Sequence, residues 1–187
     1  GWDTAVLRWC TDNRDPSAVV WDPALAVRCG LDVRRLPELV PPASVVGTVR
    51  PDVAAAFGLP DGVRVVAGTG DTTAAAVGAG ATADFDAHLY VGTSAWLSCH
   101  VPFKRTDAVR QIATIPSLVR GRYLLANNHD TAGVCLQWLR DNLVAQDDGL
   151  LATAPADAGY AAYDALAARV PAGSDGVISL SRSLTLS

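Results

Sequence analysis

The sequence predicts an α/β chain, and three observations carry that expectation. Residues 63–80, Val-Arg-Val-Val-Ala-Gly-Thr-Gly-Asp-Thr-Thr-Ala-Ala-Ala-Val-Gly-Ala-Gly, read as a short apolar strand, a glycine turn and a helix of small residues. Residues 88–100, His-Leu-Tyr-Val-Gly-Thr-Ser-Ala-Trp-Leu-Ser-Cys-His, read as two strands folded about Gly92-Thr93-Ser94. Ala132, Cys135, Leu136, Leu139 and Leu143 recur at helical spacing and predict an amphipathic helix.

Each element has a local reason. Residues 1–16 hold Trp2, Trp9 and Cys10 among polar residues and read as the continuation of an element. Asp22-Pro23 opens a helix, with Asp as cap and Pro at the first helical position. Trp21, Leu25 and Cys29 then share a face, and Gly30 closes the helix. A strand over 44–49, a short helix over 51–57 and a turn at Pro60-Asp61-Gly62 follow. The run 63–67, apolar and bounded by glycine, suits a strand covered on both faces. Gly68 and Gly70 let the backbone turn sharply and leave room for a ligand.

After the small-residue helix, Ala83-Asp-Phe-Asp86 reads as a connector and as a boundary between two domains. Strands are expected at about 87–91, 95–101, 109–115 and 123–127, with a turn at Val119-Arg-Gly-Arg122. A loop over 147–159, a helix carrying Tyr160, Tyr163, Leu166 and Val170, and a strand over 176–180 complete the chain.

Composition narrows the function. With 187 residues, half of them hydrophobic, the chain can bury a core as one domain or two small ones. A net charge of −4 with scattered signs lacks the basic stripe of a nucleic-acid binder. Lys104 is the single lysine, which excludes a Gly-Lys-Ser/Thr phosphate loop. Cys10, Cys29, Cys99 and Cys135 have no C-x-x-C spacing, so zinc and a disulfide scaffold are disfavoured and reduced thiols are expected. No basic-plus-apolar signal segment opens the chain, and the expected setting is the cytoplasm. The absence of any methionine suggests an internal portion of a longer chain.

Asp71 is the acid between the glycine turn and the helix. It reads either as an ordinary N-cap or as a carboxylate placed at the positive end of the helix dipole for chemistry. About twenty residues downstream, the Gly92-Thr93-Ser94 turn can offer consecutive N–H groups and two hydroxyls to an anion; it also reads as a plain hairpin turn.

An acid after Gly-Thr-Gly followed by a Gly-Thr-Ser hairpin resembles the FGGY family of carbohydrate kinases. Residues 39–49, Leu-Val-Pro-Pro-Ala-Ser-Val-Val-Gly-Thr-Val, and 58–66, Gly-Leu-Pro-Asp-Gly-Val-Arg-Val-Val, look like that family's approach to the acid. Residues 131–141, Thr-Ala-Gly-Val-Cys-Leu-Gln-Trp-Leu-Arg-Asp, look like its nucleotide-side helix. The resemblance covers about 21–178, and the xylulokinase-like branch fits best. The terminal residues 181–187 depart from the family pattern.

The resemblance implies a ribonuclease-H-like, actin- and hexokinase-type two-domain fold with part of each domain present. Residues 1–84 would end the sugar-binding domain, and residues 85–187 would begin the nucleotide-binding domain. It implies ATP-dependent phosphorylation of a sugar hydroxyl, in a ketose such as xylulose, with Asp71 as the general base. Thr72 would face the sugar or form helix surface. Gly92, Thr93, Gly133 and Gln137 would meet the nucleotide, Gln137 otherwise being a solvated helix position. Mg2+ would be touched by Asp71 through water. The partners implied are a small-molecule sugar and ATP, with no nucleic acid, no membrane and room for a homodimer.

Trp96 and Trp138 read as packing residues, His88, His100 and His129 as structural or exposed, and His129-Asp130 as loop rather than an acid–base pair. The competing readings are a non-catalytic sugar- or nucleotide-binding protein derived from a kinase and a kinase for another polyol such as glycerol. The acid and the hairpin are expected to face one another across a cleft between two lobes.

Overall fold

The computed structural model describes residues 1–2, 10–144 and 160–177. It divides into two compact units, residues 1–89 with 97–127, and residues 90–96 with 128–187.

The first unit opens with an element the sequence did not announce. Strand β1 (Thr11–Asp12) pairs antiparallel with β2 (Val20–Trp21). Helix α1 (Pro23–Arg28) follows as expected, because Asp22 Oδ1 accepts the N–H groups of Ala24 at 2.8 Å and Leu25 at 3.1 Å. Gly30 ends it at φ 68°, a conformation that favours glycine. The expected apolar face is corrected: Ala26 is the buried residue, Leu25 is half-buried and Cys29 is exposed.

β3 (Val45–Thr48) and β4 (Arg64–Val66) pair antiparallel around a register shift, with α2 (Pro51–Ala56) between them. Backbone bonds from Val49 to Val63 at 2.8 Å and from Ala67 to Ser44 at 2.8 Å extend the pair. The expectation that 63–67 is covered on both faces does not hold. Val65 and Val66 are 42% and 54% exposed, because β4 hydrogen-bonds to β3 alone and the pair is a two-stranded ribbon. Helix α3 (Asp71–Gly78) then runs with Thr73 and Ala76 as its buried residues.

A four-stranded sheet comes next, in the order β5-β6-β8-β7, formed by β5 (His88–Val91), β6 (Ala95–Val101), β7 (Ile112–Pro116) and β8 (Tyr123–His129). β7 starts three residues later than expected, because Asp107 and Ile112 close a bridged turn around Arg110. β7 and β8 pair in antiparallel register from Ile112–Asn127 to Pro116–Tyr123. The turn between them has Gly121 at φ 69° and an Arg122 N–H to Val119 carbonyl bond of 3.1 Å. Tyr123, Leu124, His100 and Val101 are the largest fully buried side chains, so the first unit's core lies along β6 and β8.

The second unit contains the tip of the β5–β6 hairpin, α4 (Gly133–Leu139) with a π-helical turn at Arg140–Val144, and α5 (Tyr160–Ala167). The apolar stripe expected on α4 is not a buried face: Cys135 and Leu139 are half-buried and Leu136 is exposed. The Leu143 side chain, Trp9, the loop at 147–159, most of the strand expected at 176–180 and the 181–187 tail lie outside the described residues.

Candidate active site

Helix α3 begins at the acid because Gly70 takes the cap position, extended at φ −67°, ψ 150°, with its carbonyl accepting the Ala74 N–H at 2.9 Å. Asp71 is therefore the first helical residue and not the cap. Its Oδ1 accepts the Thr72 N–H at 2.8 Å and lies 3.4 Å from the Thr72 hydroxyl. Asp71 is exposed and forms no ion pair among the described residues. Such a carboxylate, steadied through one oxygen beside the positive end of a helix dipole, can accept a proton from a hydroxyl brought to its other oxygen. Thr72, half-buried, is held against it.

A second group of expected residues converges in the other unit. The Gly92 N–H bonds the Ser94 carbonyl at 2.8 Å and closes the hairpin turn. The turn's carbonyls point at the start of α4: Gly92 accepts the Gly133 N–H and Thr93 accepts the Ala132 N–H, each at 2.8 Å. The N–H groups and hydroxyls of Thr93 and Ser94 take no hydrogen-bond partner among the described residues. The arrangement turns acceptors inward and leaves donors outward, which suits an anion.

Glycine is required at Gly133, where the close contact is with backbone, and at Gly92 it leaves room for a side chain. A Cβ on Gly133 would stand 2.7 Å from the Gly92 carbonyl oxygen, so its missing side chain makes room for the hairpin backbone. A Cβ on Gly92 would stand 2.7 Å from the Tyr90 hydroxyl. Tyr90 packs edge-on against Trp96 with ring centroids 5.4 Å apart, which makes Trp96 a packing residue. Sequence reading did not assign Tyr90 or Ala132 to this group: Tyr90 stood in an expected strand and Ala132 on the expected apolar face of the helix.

Gln137 lies one turn along α4 from Gly133 and is exposed. Trp138 beside it is 58% exposed and packs less than expected. Asp130 accepts from the Asn128 amide at 2.6 Å, so Asn128, and not His129, is the partner of that carboxylate. His88 meets the Ser98 hydroxyl at 3.3 Å and His100 is buried. No group of three or more His, Cys, Asp or Glu side chains at metal-binding distance occurs among the described residues.

A cavity of about 660 Å³ in the first unit touches Gly68 and Thr69. Trp21, Leu31, Leu36, Leu39 and Val40 make its lining mostly apolar, poor chemistry for a polyol. No described helix is long and apolar enough to cross a membrane.

Comparison with known proteins gives these groups a context. Residues 15–78 match the model for the N-terminal domain of the FGGY family of carbohydrate kinases. The chain is 30% identical over 158 residues to an autoinducer-2 kinase of Enterobacter sp. (strain 638), covering 84% of this chain and 30% of that protein. It is 32% identical over 126 residues to a glycerol kinase of Alkalilimnicola ehrlichii, covering 66% of this chain and 24% of the relative. Its structure resembles the xylulose kinase of Rhodospirillum rubrum with a TM-score of 0.69 at 30% identity, over 86% of this chain and 31% of that one.

The chain thus spans about 30% of the length of the first two kinds of kinase it resembles, or somewhat less. The α/β, actin- and hexokinase-like fold that the resemblance implied holds over the part of it that this chain covers. The FGGY match at 15–78, the related kinases and the shared fold together identify the chain as a member of the FGGY family of carbohydrate kinases.

Proposed function

We propose that this chain forms part of an ATP-dependent carbohydrate kinase in which Asp71 is the general base. The observation that carries the reading is the exposed carboxylate at the first residue of α3, steadied by the Thr72 N–H at 2.8 Å. The match of residues 15–78 to the family's N-terminal domain supports a division near residue 84, with the sugar-binding part before it and the nucleotide-binding part after it.

Phosphoryl transfer asks for a positioned nucleophile and charge stabilisation more than covalent help from the protein. Asp71 orients the sugar hydroxyl and takes its proton as the oxygen attacks the γ-phosphorus. Thr72 holds the carboxylate and faces the sugar. The donors of Thr93 and Ser94 receive phosphate oxygens, Gly133 holds the turn that presents them, and Gln137 hydrogen-bonds the nucleotide. This pattern fits ATP without a lysine loop. Mg2+ binds through one or two carboxylates, waters and substrate phosphates, so Asp71 acting through water fits it with no ligand cluster among the described residues. The ion would neutralise phosphate charge.

The sugar is a ketose or polyol. Xylulose is favoured by the structural relative at 30% identity, while the glycerol and autoinducer-2 kinases among the relatives keep other acceptors in view. The setting is the cytoplasm, where ATP is available. A coupled ATP-consumption assay of the complete enzyme against a ketose and polyol panel tests this. Sugar-dependent ADP release with at least one member is expected. No release with any member, alongside retained sugar or nucleotide binding, would replace the kinase by a non-catalytic binding protein.

A further inference from the structure

Helix α3 carries the proposed base but has little in its own surface to fix its position. Its two buried side chains are Thr73 and Ala76. Ala76 offers one methyl, and Thr73 Oγ1 is buried without a hydrogen-bond partner. A helix of small residues presents low ridges and shallow grooves, so side-chain packing resists sliding along its axis only weakly. Its register needs a directional tie, and one lies just past its C-terminal end.

The Ala81 N–H caps the helix by bonding the Ala76 carbonyl at 3.0 Å. The Ala81 carbonyl in turn meets His100 Nδ1 at 2.8 Å. His100 has no exposed surface, and its Nε2 lies 2.6 Å from the Ser117 hydroxyl in the β7–β8 turn. A carbonyl only accepts, so Nδ1 carries the ring proton and Nε2 accepts from Ser117. Ser117 Oγ itself accepts the Val119 N–H at 3.0 Å, which orients its proton toward the ring. The His100 carbonyl also accepts the Phe85 N–H at 2.9 Å, fixing the connector that follows the helix. The imidazole thereby joins the end of α3 to β6 and to the β7–β8 turn through bonds at both nitrogens.

We propose that His100 is a positioning residue for the phosphoryl transfer: by holding the Ala81 carbonyl it sets the axial position of α3 and so the placement of the Asp71 carboxylate. This rests on the reading of Asp71 as base. His100 touches neither the acid nor, in this account, the sugar. A displacement of about 1 Å at a reacting group can cost about 100-fold in rate.

The test separates the two nitrogens in the complete enzyme. His100→Asn places an amide N–H where Nδ1 stood and loses the Ser117 bond. His100→Gln reaches toward Ser117 and leaves the Ala81 carbonyl without its donor. With His100→Gln, kcat should fall about 10- to 100-fold with both KM values within about 2-fold. His100→Asn should restore kcat to within about 5-fold of the natural enzyme. Equal kcat losses in the two variants, or a fall in thermal stability with kcat unchanged, would overturn the inference.

Gly80→Val gives a second route that leaves the core untouched. Gly80 has φ 83° and open space around it, so a β-branched residue displaces the backbone leading to Ala81. It should lower kcat selectively in the same way, and unchanged kcat there would also overturn the proposal. Asp71→Asn, run alongside, separates the two readings. If it keeps turnover, the base assignment fails. If it is inactive while His100→Gln is unaffected, only the positioning role fails.

Discussion

Gly133→Ala probes the junction of hairpin turn and helix most sharply. The added methyl would stand 2.7 Å from the Gly92 carbonyl oxygen, and ordinary contact begins at 3.4 Å, so the first turn of α4 must retreat by about 0.7 Å. Carbonyl and helix are joined there by two bonds of 2.8 Å, Gly133 to Gly92 and Ala132 to Thr93. That retreat stretches both to about 3.5 Å, beyond useful hydrogen-bond length. At about 1 kcal/mol for each bond, the turn loses about 2 kcal/mol of its support. If that support preorganises the phosphate donors, ATP binding should weaken by up to about 30-fold. Titration of the complete enzyme with ATP reads the affinity, and a urea unfolding midpoint reads the stability. A lower midpoint with ATP affinity within about 2-fold of the natural protein would refute the link between the turn and the nucleotide.

Three further perturbations test other parts of the account. Tyr123→Phe removes a buried hydroxyl that shares its proton between the Asn13 and Arg14 carbonyls, at 3.0 and 2.6 Å, and should cost about 1–3 kcal/mol in urea unfolding; no measurable loss would show those contacts to be idle. The Arg14 side chain, then its backbone N–H, hold the Asp12 carboxyl down at about 2 from an ordinary value near 3.8. Because the folded value is the lower one, Asp12 contributes stability above pH 4 that is lost as pH falls toward 2, and Asp12→Asn should flatten the unfolding midpoint across that window; an unchanged slope would contradict the pairing. Burial, and then the neighbouring Cys29 thiol, push the Cys10 thiol up, so iodoacetamide should label exposed Cys29 well before buried Cys10, as read by peptide mass mapping; equal labelling rates would contradict the packing around Cys10.

The readable parts of the sequence were those in which one residue fixes local geometry. Asp22-Pro23 started a helix because the acid accepts the next free N–H groups, and Gly-Thr-Ser turned a hairpin between two apolar alternations. The acid at 71 was legible as the first-turn residue of a helix through its neighbours in the chain, which made it a candidate for the site. What escaped depended on partners distant in sequence. The run 63–67 looked fully buried from composition, but burial is set by how many strands flank it, and β4 pairs with β3 alone. The pairing of Thr11–Asp12 with Val20–Trp21 is too short to show a period. The resemblance implied that Gly133 would meet the nucleotide, whereas its space faces the Gly92 carbonyl across some forty residues of sequence. His100 had no carboxylate or cysteine at ligand spacing to mark it, and its partners, Ala81 and Ser117, have no sequence signature at all.

Proton acceptance by one carboxylate is the core of the account, and single-turnover phosphoryl transfer by Asp71→Asn in the complete enzyme measures it most directly. Asparagine keeps the size and the contact to Thr72 but takes no proton. Transfer to sugar should fall by about 100- to 10,000-fold, while the ATP dissociation constant stays within about 2-fold. Transfer at the natural rate with this variant would contradict the assignment outright.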